Sequence, residues 1–294
     1  MIGSSIDVVI TGLILGGVYA LVAVGLSLQY GVGRVLNVSH GEFIILGALA
    51  TYSLYTVAGV NPLLTIAFVS PALFAIGYGL DRVLFNELRR TSPNDDAFEG
   101  RSLLVAFGLL FVVQNLMLAS WGAGIRGYTY LNKSLSLFGN RYGLNRILAL
   151  VVAVTVSVAF YVFIKTTRLG KAIRAAAELP HMAEALGVNR RHVLAICFGL
   201  GAALAGLAGV LYSLMFNLQA SRGLELTIVA IVVVVFGGLG SITGSLLGGF
   251  ILGLVTALVN SIDPSLSLVA FYLIFILVLL VRPSGIMGRQ LHAD

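Results

Sequence analysis

The chain alternates long apolar runs with short polar breaks, and its longest polar stretch, Lys165 to His192, sits past the middle. A helix needs about 20 consecutive apolar residues to cross the hydrocarbon of a bilayer. Runs near 6–30, 36–57, 62–81, 102–121, 146–164, 193–216, 224–238, 243–260 and 265–281 meet or approach that length and predict nine spans. The seventh is weak, because Leu226 to Phe236 is an apolar core of only 11 residues. At about 1.5 Å per residue it falls short of a crossing. A broken or tilted helix there would leave eight full spans. The predicted class is all-α: a polytopic integral membrane helical bundle of eight to nine spans, one transmembrane domain over residues 1–294, with a polar loop at 165–192.

Charge orients the spans. The 165–192 stretch carries Lys165, Arg168, Lys171, Arg174, Arg190 and Arg191 against Glu178 and Glu184, and short basic loops stay on the cytoplasmic side. An odd span count then puts the N-terminus outside and the C-terminus inside, in keeping with Arg282 and Arg289 after the last span. The opening MIGSSID has no Lys or Arg and leads into an apolar run without a small-residue cleavage pattern, so it is expected to stay as the first span. Residues 82–101, with Arg82, Arg89, Arg90, Pro93, Asp95, Asp96 and Glu99, read as a second cytosolic loop. The 122–145 stretch falls outside although Arg126, Lys133 and Arg141 run against the charge rule; the stronger bias of 165–192 decides the orientation.

The 165–192 loop has an internal design. Lys171 to Glu178 are good helix formers, with Arg174 and Glu178 at i,i+4 on one face and Ile173, Ala176 and Ala177 on the other. Pro180 suits the first position of a second helix, Met182-Ala183-Glu184-Ala185-Leu186 continue it, and Gly187 is the expected left-handed stop. A helix of one to two turns is marginal in water. It must therefore pack on neighbouring spans or on another protein, which leaves a docking element and a plain connector both open.

Composition agrees with the membrane class. Hydrophobic residues make up 59% and charged residues 10%, well below the roughly 25% charged share of soluble domains, and mean hydropathy is +1.01. The net charge of +6 resides in the loops, as membrane orientation requires, and gives no reason to invoke nucleic acid. The single cysteine, Cys197, excludes an intramolecular disulfide and a cysteine-based zinc site. No G-x-x-x-x-G-K-[ST] is present, so ATP would have to be bound by another chain. With no H-E-x-x-H and no nucleophile elbow around Ser39, neither a catalytic residue nor a metal ligand is assigned.

Glycine and buried polar residues carry the rest. There are 35 glycines, many at small-residue spacing: Gly12-Gly16-Ala20, Gly201-Ala205-Gly209 and Gly244-Gly248. Such faces let helix backbones approach closely in lipid. Two glycine-rich interruptions, Gly31-Val32-Gly33 and Gly237-Gly238-Leu239-Gly240-Ser241, fall one in each half of the chain, a pattern that points to a substrate path lined by broken helices. Asn37, Ser39, His40 and Glu42 put polar groups at the start of the second span, and Gln114 and Asn115 lie inside the fourth. For the first group, a structural role such as an Arg34–Glu42 pair competes with a place in the path; for Gln114 and Asn115, interhelical hydrogen bonding competes with substrate contact. Asp81 with Arg82 and Glu225 with Arg222 read as pairs at span ends.

These residues also carry a resemblance. Gly16-Gly17-Val18-Tyr19-Ala20-Leu21, Tyr30-Gly31-Val32, Arg34-Val35-Leu36-Asn37, His40-Gly41-Glu42-Phe43 and Leu46-Gly47-Ala48 resemble the N-terminal signature of branched-chain amino acid ABC transporter permeases of the smaller type. Thr167 to Ala175, Ala183, Leu186-Gly187 and Phe198 to Gly209 resemble that family's cytoplasmic coupling region and the span after it. Gly237 to Ser241 with Gly244 and Gly248-Gly249 resemble its third signature. The likeness runs nearly end to end and departs at Ser39, where the family pattern is expected to have alanine, and at a hydrophilic 91–101 loop.

The resemblance implies a permease subunit in a bacterial or archaeal inner membrane, with no cofactor of its own. Its partners would be a second related permease, two cytosolic ATP-binding subunits and a periplasmic binding protein delivering leucine, isoleucine or valine. Related permeases for urea, short amides or other amino acids share these motifs. A stand-alone secondary transporter or channel is the rival class, and it would place ion-coupling carboxylates at mid-membrane, whereas Asp7, Glu42, Asp81 and Glu225 lie toward span ends by sequence.

The topology is testable. In a Cys197-free background, Glu184→Cys should react with an impermeant thiol reagent only once the inner membrane face is exposed; labelling in intact cells would invert the orientation.

Overall fold

The computed structural model describes residues 2–137, 140–282 and 284–288; Arg289 lies outside them. The chain opens with α1 (Ile2–Gly33) and α2 (His40–Ala58). Next, α3 (Ile66–Leu80) continues through a π-helical turn (Asp81–Phe85) into α4 (Asn86–Thr91), and α5 (Asp95–Trp121) follows. A hairpin of β1 (Ser134–Leu137) and β2 (Asn140–Gly143) leads into α6 (Leu144–Thr166), then the short α7 (Arg168–Glu178) and α8 (Pro180–Ala185). The second half comprises α9 (Arg190–Met215), α10 (Gly223–Gly237), α11 (Ile242–Ile262) and α12 (Ser267–Val281). Among the described residues, nine helical segments are long and apolar enough to cross a membrane. They coincide with the nine apolar runs, so this is a multi-pass helical membrane protein. The seventh is the short one: α10 has 15 residues, about 22 Å of helix against a hydrocarbon of about 30 Å.

Two stretches differ from the sequence expectation. Residues 82–101 are not a loop, because the third span continues to Thr91 and α5 begins at Asp95. Only Ser92, Pro93 and Asn94 interrupt the helices, and the Asn94 side chain caps α5 by accepting from the Ala97 N–H at 2.8 Å. The charged residues there concealed an apolar stripe: Phe85 is fully buried with Val35, Phe98 and Phe198, its ring 4.8 Å from that of Phe198. The 122–143 stretch holds the hairpin, with Ser134 opposite Gly143 and Leu137 opposite Asn140. Its Arg126 is used internally. The backbone of Arg126 pairs both ways with Leu218, at 2.9 and 2.8 Å, and its guanidinium lies 5.7 Å from the centre of the Tyr52 ring. One cation of this stretch therefore has an aromatic face as its neighbour.

Helix α9 is buried along most of its length, with α1, α2 and α3 packed around it. Lipid is as apolar as leucine, so helices associate there through close packing rather than hydrophobic exclusion. Small residues set the distances. Gly47 of α2 faces Gly206 of α9, and a Cβ on Gly209 would overlap the Ile44 carbonyl. The Gly12-Gly16-Ala20 stripe of α1 lies against Leu254, Phe250 and Gly249 of α11. Gly31 meets Gly240 in the same way, so the two glycine-rich stretches touch each other. The first of them does not break its helix: α1 runs on to Gly33 and stops at Arg34, whose φ is +53°.

The 165–192 loop folds as two short helices. Thr167 caps α7 by accepting from the Gly170 N–H at 3.0 Å, and Gly170, Ile173 and Ala176 are buried while Ala177 is exposed. Pro180 opens α8, and Gly187 has φ +87°. The Val188 N–H donates to the Ala183 carbonyl at 2.9 Å and folds the chain back toward α9.

Close packing of α2 on α9 makes a prediction. Gly209→Val should cost about 1–3 kcal/mol through overpacking, read as a lower melting temperature of the purified protein in detergent, whereas Gly108→Val, where nothing lies within 4 Å, should leave it unchanged.

Candidate functional site

Between α1 and α2 the chain leaves helical form, and from Val35 onward it does so inside the protein. Val35, Asn37, Val38 and Ser39 are buried. The backbone there needs partners, and the side chains supply them. The Asn37 Oδ1 accepts from the Ser39 N–H at 3.1 Å and from the Ser39 hydroxyl at 2.6 Å. Its amide donates to Gln29 Oε1 at 3.1 Å, and Gln29 in turn donates to the Phe198 carbonyl of α9 at 3.2 Å. A chain of amides thereby joins α1, the start of α2 and α9.

His40 and Gly41 complete the knot. His40 Nε2 donates to the Val22 carbonyl at 3.1 Å, since a carbonyl can only accept. The Gly41 N–H donates to the Thr227 hydroxyl at 2.8 Å, and that hydroxyl donates to the Val38 carbonyl at 2.8 Å. Thr227 belongs to α10, so α2 and α10 are tied together at their N-terminal ends. Depth follows from the neighbours: the His40 ring packs against Gly25, eight residues before the end of α1, or about 12 Å along the helix. This cluster is inside the bundle and not at its surface, as the sequence position beside Arg34 had suggested.

Glu42 is the odd member. It is fully buried, and neither carboxylate oxygen has a hydrogen-bond partner. It makes no ion pair with Arg34, which is exposed. Instead the carboxylate lies against Gly223, the first residue of α10, where a Cβ would overlap it.

The other candidates lie apart from this cluster. Gln114 reaches the Ser221 carbonyl at 3.4 Å, just before α10, whereas Asn115 is exposed and donates to Phe111 of its own helix at 2.8 Å. Gly237 and Gly238 are at the far end of α10, where Gly237 packs on Gly244 and accepts from the Met287 N–H at 3.0 Å. In α8, Ala183 is buried, Pro180 is half-buried, and Met182, Glu184 and Ala185 are exposed, as are Leu186 and Gly187 just after it. Among the described residues, no group of three His, Cys, Asp or Glu side chains is placed to hold a metal ion.

Several participants were not singled out by sequence. Gln29, Gly223 and Thr227 sit in apolar runs as isolated polar or small residues, and nothing local distinguishes them from packing positions. Asp81 pairs with Arg89 at 3.4 Å rather than with Arg82. Arg89 also stacks over Phe98 at 4.8 Å, while Arg82 bonds the Tyr78 hydroxyl at 2.8 Å. Arg222 and Glu225 do pair, loosely, at 3.9 Å. At the end of α9, a polar pocket of about 360 Å³ is lined by Tyr128, Tyr130, Asn132, Asn145, Ser213 and Asn217 among others. Burial pushes the Tyr128 hydroxyl up to about 12. It is neutral and shares a hydrogen bond with Ser213 at 2.8 Å.

Comparison with known proteins gives a consistent picture. The family described as the permease component of branched-chain amino acid transport systems matches residues 8–279. The chain is 33% identical to the high-affinity branched-chain amino acid transport system permease protein BraD of Pseudomonas aeruginosa, over 95% of this chain and 94% of that one. It is 30% identical to the corresponding permease protein LivH of Escherichia coli K12, over 95% and 94% of the two chains. A probable branched-chain amino acid transport permease of Methanocaldococcus jannaschii is 26% identical, over 94% and 90%. No solved structure matches.

The amide chain is open to test. Asn37→Leu strands the Gln29 amide and the Ser39 backbone, at about 1–3 kcal/mol per unsatisfied group, so the amount of protein in the membrane and its transport activity should fall together. Normal amount with lost transport would place Asn37 in a transport role instead.

Proposed function

Because the chain belongs to the family of permease components of branched-chain amino acid transport systems, we propose that it is the membrane-spanning subunit through which an ABC importer moves leucine, isoleucine or valine. The observation that carries this reading is the match over residues 8–279, nearly the whole chain. The names of the relatives favour branched-chain amino acids over urea or short amides as cargo. The basic loop at 165–192 supports an inner face at that end, with the N-terminus outside. The chain lacks a phosphate-cradling loop of its own, so the work comes from two cytosolic ATP-binding subunits, with a second permease completing the pore and a periplasmic binding protein delivering the amino acid.

Coupling is assigned to α8. Leu179, Met182 and Leu186 are 60%, 64% and 85% exposed, a concentration of bare apolar surface over the two turns formed by α8 and its caps, flanked by charge. Only Ala183 of this helix is buried. Its base is therefore fixed, through α7 and α9, while its other face is free for an ATP-binding subunit. Closure of two such subunits would draw the paired α8 helices together. Helix α9 begins two residues after Val188 and runs to the core as one piece, so displacement of α8 is passed to the helices packed on α9. Asn37, Ser39, His40, Glu42, Gln114, Asn115, Gly237 and Gly238 are the candidate lining of the path, and the first four cluster where α1, α2, α9 and α10 converge.

The test is a charge in the exposed face. Ala185→Asp should leave the permease in the membrane and lower substrate-stimulated ATP hydrolysis and uptake by roughly tenfold, equivalent to about 1.4 kcal/mol of docking free energy. Wild-type hydrolysis and uptake in that variant would remove α8 from the coupling contact.

A further inference from the structure

We propose that the junction of α2 and α10 is a binding site for a zwitterionic α-amino acid, with Glu42 receiving its ammonium group and the N-terminal turn of α10 its carboxylate. This rests on the transport reading and assigns it a place in the fold. The starting point is an electrostatic anomaly. Two helix N-termini face each other here, α2 at His40–Glu42 and α10 at Gly223, and a Cβ on Gly41 would overlap the Gly223 carbonyl. Each end carries roughly half a positive charge. Glu42 lies between them, 0% exposed, with both oxygens unpartnered.

A buried carboxylate is ordinarily paired. Among the described residues, none of the ion pairs involves Glu42. The two helix ends offset its charge in the absence of cargo, but they leave its hydrogen-bonding capacity unused. A zwitterion supplies what is missing without altering the net charge. Its ammonium offers three donors to Glu42, and its carboxylate takes the first-turn N–H groups of α10, which have no partner within the helix. Gly223 keeps that backbone bare, and Thr227, holding the Gly41 N–H and the Val38 carbonyl at 2.8 Å each, fixes the spacing of the two ends. The approach lies close by in sequence: Asn217 lines the 360 Å³ pocket and is followed by the single 3₁₀ turn Ala220–Arg222 that leads into α10. That turn is tied to α5 by the 3.4 Å contact from Gln114 to Ser221, and admitting the ligand requires the first turn of α10 to part from Glu42 while the Thr227 bonds hold.

The competing account is that Glu42 only neutralises the two helix ends. Ligand-dependent melting of the purified permease–ATPase assembly, without the binding protein, separates the two, because a ligand that binds the folded state raises its melting temperature according to its affinity. In the wild type, leucine should stabilise saturably, while 4-methylpentanoate, which lacks the ammonium, and leucinamide, which lacks the carboxylate, should be at least tenfold weaker. Glu42→Gln should lose at least tenfold in leucine affinity and raise the KM for uptake, and Glu42→Asp should recover part of both. Leucine affinity unchanged in Glu42→Gln, or either analogue matching leucine on the wild type, would overturn the site; the analogue series decides even if the Gln variant fails to accumulate. Wild-type protein that neither binds nor takes up any branched-chain amino acid would overturn the transport reading itself, an outcome distinct from normal uptake with an unimpaired Glu42→Gln.

Discussion

A chain that stops being helical inside a membrane exposes backbone groups that lipid cannot satisfy, and this protein does so between α1 and α2. The fold depends on how that break is held. Asn37 folds over the Ser39 backbone and links through Gln29 to the Phe198 carbonyl, while Thr227 joins the Gly41 N–H to the Val38 carbonyl. Four helices are tied at one point as a result. Without these side chains the break would have to be helical, and α2 and α10 could not meet end to end.

Close packing supplies the rest of the order. Helix α9 can be central because Gly206 and Gly209 let α2 approach within backbone contact, and Gly199 and Gly77 do the same for α3. The same arrangement makes α9 one continuous helix running from the short α7–α8 pair past the buried knot. Beyond the start of α9, α7 is clamped through Ile173 and Ala176, while Met182 of α8 and Leu186 just after it face outward.

Charge placement follows from the same economy. Asp81 is buried in a π-helical turn and finds Arg89 two turns on, which also stacks over Phe98. Arg126 is bound into the 122–143 segment through its backbone pairing with Leu218 and its position over Tyr52. Glu42 stands outside this pattern. Among the described residues, the other buried carboxylate, Asp81, has a counter-charge in the chain, and Glu42 has two helix ends.

Much of this was legible in the sequence. Apolar length against the thickness of a bilayer placed nine spans, including the short one at α10, because that constraint acts on each segment separately. The two short helices of 165–192 were readable for the same reason, since Pro180 and Gly187 act on their own backbone. The glycine stripes announced close packing, yet not which helices would share it: Gly12-Gly16-Ala20 chose α11, and Gly31 chose Gly240, some 200 residues away. Tertiary structure alone decided the surroundings of Glu42 and Asp81. Sequence neighbours suggested Arg34 and Arg82, but a buried charge is governed by whatever lies within a few ångströms, and those groups come from other helices. Residues 82–101 failed for a related reason, because counting charges hides an apolar stripe that only its burial against Val35 and Phe198 reveals.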